Sequence, residues 1–117
     1  MLLSDIRTLE DWGRNLRILF NNEMPYIVGS CLERKDYRDV DVRMIMEDTA
    51  YERLANRMNV PRLNHVVSMW GQRATGLPID FQVQQRTAAN EKYPGVGRRH
   101  PLGMSDWDDQ SRAIERT

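Results

Sequence analysis

The segment Asp39–Glu47, DVDVRMIME, alternates between two chemical characters, and that alternation constrains the fold more than any other feature of the chain. Side chains on a strand point to opposite faces with a period of two. Val40, Val42, Met44 and Met46 therefore share one face, and Asp39, Asp41, Arg43 and Ile45 share the other. A second segment, PIDFQVQ from Pro78 to Gln84, repeats the pattern with Ile79, Phe81 and Val83 opposite Asp80, Gln82 and Gln84. A third, Tyr26-Ile27-Val28, is a short apolar run of β-forming residues that stops at Gly29-Ser30 and reads as a buried strand.

Between these strands the period changes to that of a helix. Ile6, Leu9, Trp12, Leu16, Leu19 and Phe20 recur at spacings of three and four, with Ser4 as N-cap and Gly13 as an interior weak point. Pro25 closes this helix by disfavouring the α conformation at Met24. Cys31 to Arg38 is mostly charged and reads as a short helical turn and loop. Thr49 and Glu52 have capping-box spacing ahead of Tyr51, Leu54, Ala55 and Met58. Pro61 opens a further helix with Leu63, Val66, Val67, Trp70 and Ala74 on one face and Gly76 as its stop. The run His65–Trp70 suits a strand as well, and the helix is preferred. Strands separated by helices imply an α/β fold, a small mixed sheet flanked by helices. Residues 1–93 would form the domain, and residues 94–117, punctuated by Pro94, Gly95, Gly97, Pro101 and Gly103, a wrapping or partly disordered tail.

Composition narrows the function classes. At 117 residues the chain has room for one domain. Its 17 basic and 17 acidic residues cancel, which argues against a nucleic-acid binder that works by excess charge. No apolar run approaches the roughly 20 residues that cross a bilayer, and no basic-then-apolar leader opens the sequence, so no membrane role and a cytoplasmic location are expected. The single cysteine, Cys31, cannot form an internal disulfide. Nearly all the positive charge is arginine, which pairs bidentately with carboxylate or phosphate.

The chemistry concentrates on acids. Asp39 and Asp41, at i and i+2 on a strand, face the same way roughly 7 Å apart and can converge on hard divalent cations. Asp80 lies mid-strand between Ile79 and Phe81, where a carboxylate must be paired, protonated or metal-bound. An ion pair with an arginine such as Arg43 would answer that need without any ligand. Gly29 allows close approach of a ligand to the backbone, and a helical turn starting there would aim amides and the Ser30 hydroxyl at a phosphate. Arg34, Lys35 and Arg38 lie between these two motifs, where they could touch phosphate. His65 and His100 are the available imidazole bases, and neither has a motif relation to Ser30 or Cys31.

In this order, Ile27-Val28-Gly29-Ser30, then Asp39-Val40-Asp41-Val42, then Leu77-Pro78-Ile79-Asp80-Phe81, the residues resemble the nucleotidyltransferase superfamily that includes DNA polymerase beta. The likeness is to its minimal, single-domain members and spans Tyr26 to Gln84. It implies a nucleotidyltransferase-like sheet and the following roles. Asp39 and Asp41 would hold two Mg²⁺ ions, with Mn²⁺ as a substitute. Asp80 would ligate one of them and help activate the attacking hydroxyl. Gly29 and Ser30 would cradle the β- and γ-phosphates of a nucleoside triphosphate such as ATP. In-line attack on the α-phosphorus would transfer a nucleoside monophosphate and release pyrophosphate, with one metal on the acceptor oxygen and one on the leaving oxygens.

The chain has no room for the second helical domain that such proteins commonly carry. The acceptor would then be set by a homodimer, by a partner or by the tail. Minimal members often work beside a helical toxin and modify it, so a protein hydroxyl is the first expectation for the acceptor, with an RNA end or a small hydroxylated compound behind it. Two other readings compete with the transferase. One is a catalytically silent domain of that fold that binds nucleotide or protein. The other is a small metal-dependent nuclease, which accounts for the acids but leaves Gly29-Ser30 without a purpose.

Overall fold

The computed structural model describes residues 3–28, 38–92 and 99–104. Gly29, Ser30, Cys31, Arg34 and Lys35 lie outside the described residues. The described elements run α1 (Leu3–Leu19), β1 (Pro25–Val28), β2 (Val40–Met46), α2 (Asp48–Arg57), α3 (Val60–Thr75), β3 (Ile79–Gln85), α4 (Arg86–Lys92) and β4 (Arg99–Pro101). They form an α/β fold whose four-stranded sheet has the order β3-β2-β1-β4. The sheet is mixed: β1 is antiparallel to both β2 and β4, while β2 and β3 are parallel. No helix among the described residues is long and apolar enough to cross a membrane.

Alternation in the sequence becomes the two faces of the sheet. Val40, Val42 and Met44 in β2 and Ile79, Phe81 and Val83 in β3 join Leu9, Trp12 and Leu16 of α1 and Val67 of α3 in one core. Edge-to-face packing of Trp12 on Trp70, with centroids 5.6 Å apart, ties α1 to α3. The parallel register sets Val40 beside Ile79, Asp41 beside Asp80 and Val42 beside Phe81, so the acids of both strands fall on the opposite face together.

Helix ends depart from expectation in three places. Ser4 lies within the first turn of α1, where its carbonyl accepts a bond from the Thr8 hydroxyl at 3.0 Å. The helix stops well before Pro25, because Asn21 and Asn22 take left-handed φ values of 55° and 67°. Asparagine tolerates that region better than most side chains, and the Asn22 amide returns to the Arg17 carbonyl at 2.7 Å. In α2 the capping box does not form: Glu47 is the N-cap and contributes no side-chain bond, while Thr49 lies inside the helix. The acid ahead of it is used elsewhere, since the Asp48 carboxylate accepts from both the amide and the hydroxyl of Thr87 at the start of α4. The third helix behaves as its punctuation implies. Asn59 caps it by accepting from the Arg62 amide at 3.1 Å, Pro61 sits in its first turn, and Gly76 ends it at φ 71°.

Among the described residues no strand neighbours the outer edge of β3, yet its backbone is not open. Along α3, Asn64, Ser68 and Gln72 recur every fourth residue. The Asn64 Oδ1 accepts from the Val83 amide at 2.9 Å, the Ser68 Oγ from the Phe81 amide at 2.9 Å, and the Gln72 Nε2 donates to the Ile79 carbonyl at 3.0 Å. Four helical residues advance about 6 Å and two strand residues about 6.6 Å, so the two rows stay in step. The helix thus supplies with side chains what a fifth strand would supply with backbone.

The segment after α4 contributes to the same core. Leu102 is fully buried, and its amide donates to the Pro25 carbonyl at 2.9 Å. Gly103, at φ 76°, crosses α1 at Gly13 so closely that a Cβ on it would stand 2.5 Å from the Gly13 carbonyl carbon. Its two peptide groups are clamped by the helix: the buried Glu10 Oε2 accepts from its amide at 3.0 Å, and Arg17 donates to its carbonyl at 3.1 Å.

Candidate active site

The acids meet because of strand register. Asp41, the second residue of β2, is paired with Asp80 of the parallel neighbour, and adjacent strands stand about 4.8 Å apart. Asp39 precedes β2 by one residue and is exposed at the mouth of the same face. Asp41 and Asp80 are half-buried. On the other side of Asp41, across β1, come Val28 and then Arg99 of β4.

Arg43 occupies the floor between the two paired acids. Its side chain is 6% exposed, and its Nη2 lies 3.6 Å from the Asp41 Oδ1 and 3.5 Å from the Asp80 Oδ2. Its Nη1 donates to the backbone carbonyls of Asp80 at 2.7 Å and of Val42 at 3.2 Å. The guanidinium is therefore fixed to the sheet, and each carboxylate gives it one oxygen at long range while the other oxygen remains for a second cation. The ion pair that the sequence suggests for Asp80 is present, and it is shared with Asp41.

The electrostatic result is a carboxyl group held under strain. Burial pushes the Asp41 pKa above its ordinary value, and the neighbouring Asp80 and Asp39 charges push it the same way. Arg43 and, more weakly, Lys92 pull it back without cancelling the shift. Lys92 ends α4, a helix absent from the sequence reading, and its presence near Asp41 could not be inferred from strand alternation. Arg99 is also placed by that helix, through bonds to the Ala89 carbonyl at 3.2 Å and the Asn90 Oδ1 at 3.0 Å.

A cleft of about 480 Å³ opens beside the acids, between α3 and the edge of β3. Asp39 and Asp80 line it together with His65, Ser68, Gln72 and Gln82. His65, which the sequence left without a relation to any other group, thus shares a cleft with two of the three acids. His100 lies on β4, exposed and at the far edge of the sheet. Arg38 is exposed ahead of Asp39.

The donor set fits a hard divalent cation. Carboxylate oxygens are the ligands Mg²⁺ prefers; Asp41 and Asp80 carry them on adjacent strands, and Asp39 and Asp80 line the open cleft. A bound cation would relieve the crowding that raises the Asp41 pKa. Among the described residues no group of three or more His, Cys, Asp or Glu side chains is drawn together so as to hold a metal ion. No protein-family model, curated protein or solved structure matches the chain significantly.

Proposed function

We propose that the chain is a Mg²⁺-dependent nucleotidyltransferase that moves a nucleoside monophosphate from a nucleoside triphosphate to a hydroxyl acceptor and releases pyrophosphate. The observation that carries this reading is the pairing of Asp41 with Asp80 across parallel strands, two residues beyond Asp39 and beside an open cleft. A nuclease would use the same acids. The order Gly29-Ser30, Asp39, Asp41, Asp80 in the sequence favours transfer from a triphosphate, because a phosphate cradle ahead of the acids has a use only there.

In this scheme Asp39 and Asp41 would hold the metal pair and Asp80 would share one ion. When bound, divalent metal would supply Lewis-acid stabilisation of charge on the phosphoryl and leaving oxygens. The chain's own residues do the rest. Asp80 lines the cleft, and its carboxylate would accept the proton of an acceptor hydroxyl entering there. Ser68 and Gln72 are tied to the edge of β3, so that wall of the cleft is rigid and orients what enters. Gly29 and Ser30 would hold the outer phosphates. The acceptor would be a protein side chain in the first instance.

One observation favours a second reading. Arg43 already neutralises Asp41 and Asp80 in part, which a nucleotide-binding domain without turnover would also require. Label transfer separates the two. Each nucleoside triphosphate, labelled at the α-phosphate, is incubated with the protein, Mg²⁺ and cell extract, beside Asp39→Asn, Asp41→Asn and Asp80→Asn. Label on protein or RNA that requires all three acids supports the transferase. Nucleotide binding with no label on any acceptor supports the silent domain, and label that persists in each of the three variants refutes the assignment of the site.

A further inference from the structure

The least expected group in the site is Arg43. An arginine is rarely buried unless it is paired, and this one lies beneath the two acids most suited to a metal. It is not a phosphate-binding arginine: its side chain is nearly inaccessible, and its Nη1 is committed to the Asp80 and Val42 carbonyls. Nor can it swing away at little cost, since leaving would strip two buried carbonyl bonds and two ion pairs at once. It is a fixed positive charge in the floor of the acid cluster.

Fixed charge decides what the cluster can attract. Asp39, Asp41 and Asp80 bring three negative charges; Arg43 removes one, and Lys92 lies within electrostatic reach of Asp41. What remains is too little to draw two divalent ions from water, where each gives up tightly held hydration. A triphosphate changes the balance, because it adds about four negative charges of its own and holds the metal as it arrives.

Resting on the transferase reading above, we propose that Arg43 makes metal loading conditional on the nucleotide: its guanidinium serves as the resident counter-ion of Asp41 and Asp80, so divalent metal enters only together with the triphosphate. The device keeps the pair of acids converged between turnovers without a metal. It also prevents a bare metal ion from activating water in the open cleft. Arg43 is a positioning residue in this account, because it acts on the metal through the two carboxylates and touches neither substrate.

The test compares wild type with Arg43→Met, which keeps the length of the side chain and removes its charge, and with Arg43→Lys, which restores a charge. Mn²⁺ binding is measured by calorimetry at pH 8, and melting temperature with Mn²⁺ alone, with a nonhydrolysable triphosphate alone, and with both. Wild type is expected to respond to Mn²⁺ only when the triphosphate is present. Folded Arg43→Met should bind Mn²⁺ without nucleotide at least about tenfold more tightly than wild type, since a repulsive unit charge a few ångströms from the metal has gone. Arg43→Lys should stay near wild type. A purely structural arginine would lower the melting temperature of Arg43→Met and leave its Mn²⁺ affinity unchanged or weaker, which overturns the proposal. If Arg43→Met does not fold, wild type decides: equal Mn²⁺ affinity with and without triphosphate overturns it. Wild type that binds neither Mn²⁺ nor triphosphate under any combination refutes the transferase reading and this inference with it. Nucleotide-coupled Mn²⁺ binding in wild type with no change in Arg43→Met removes only the role of Arg43.

Discussion

Replacing Asn64 by alanine removes the acceptor that closes the ladder at Val83, and the size of the loss follows from burial. The Val83 side chain is in the core and the bond itself is part-buried, so the amide loses its partner and regains water only incompletely. An amide left in that state costs about 1–3 kcal/mol, offset by a few tenths because alanine favours the helix interior more than asparagine does. A net loss of about 2 kcal/mol is expected. For a chain of 117 residues the unfolding entropy is about 0.25 kcal/mol/K, so the melting temperature should fall by roughly 8 °C. Ser68→Ala acts one step along the same row, at the Phe81 amide, and should cost a similar amount. Asn64→Asp keeps an acceptor oxygen at the same place, and most of the stability should return. Urea unfolding with a shared m-value measures all three, and hydrogen exchange at the Val83 and Phe81 amides reports where the loss falls. Asn64→Ala within about 0.3 kcal/mol of wild type, or Asn64→Asp as damaging as Asn64→Ala, would show that the helix does not hold the strand edge as argued.

Other outcomes are equally specific. Leu102→Ala should cost about 2–5 kcal/mol, as for any fully buried leucine, and deletion of residues after Lys92 should give insoluble or molten protein by solubility and near-ultraviolet dichroism. Asp48 is held below its ordinary pKa of 3.8, first by the Thr87 hydroxyl and then by the Thr87 amide. Its contribution is therefore present above that value and is lost as pH falls through the lower folded pKa; Asp48→Asn should melt lower than wild type at pH 7, with the gap closing in acid. Asp41 is shifted upward, so its ionised form opposes folding and its contribution is lost as pH rises through the folded pKa. Asp41→Asn should then raise the melting temperature of the metal-free protein at pH 7, with the advantage fading below the ordinary carboxylate range.

What the sequence reveals of this molecule depends on whether a local pattern exists to be read. β2 alternates in sequence from Val40 to Met44 and β3 from Ile79 to Gln84, and their register brings together the acids that alternation had assigned to one face. α3 is bounded by Pro61 and Gly76, two residues whose backbone preferences act locally. The elements that escaped have no such pattern. α4 buries Ala89 and little else, so it has no apolar stripe, and its start is fixed by Asp48 from another element. β4 is three residues, Arg99-His100-Pro101, and a proline in it suits only an edge strand. It pairs because β1 has an open side, which is a tertiary fact. The same holds for the site. Asp39, Asp41 and Asp80 are legible from alternation, and Arg43 as a partner from charge alone. Lys92 and Arg99 arrive on elements that only the folded chain defines, while His65 reaches the cleft by the orientation of α3 on β3.

The clamp of Glu10 and Arg17 on Gly103 joins residues from opposite ends of the described chain. During synthesis, α1 emerges first and Gly103 last. At about 5–20 residues per second, roughly 5–20 s separate their appearance. Throughout that interval the carboxylate of Glu10 lacks the Gly103 amide, the surface at Gly13 is uncovered by Gly103, and Leu102 is not yet there to complete the core. The domain therefore does not complete piecemeal as it leaves the ribosome: its first helix waits for the residues that follow β4, and a nascent chain stalled before Gly103 should offer chaperones an unfinished core.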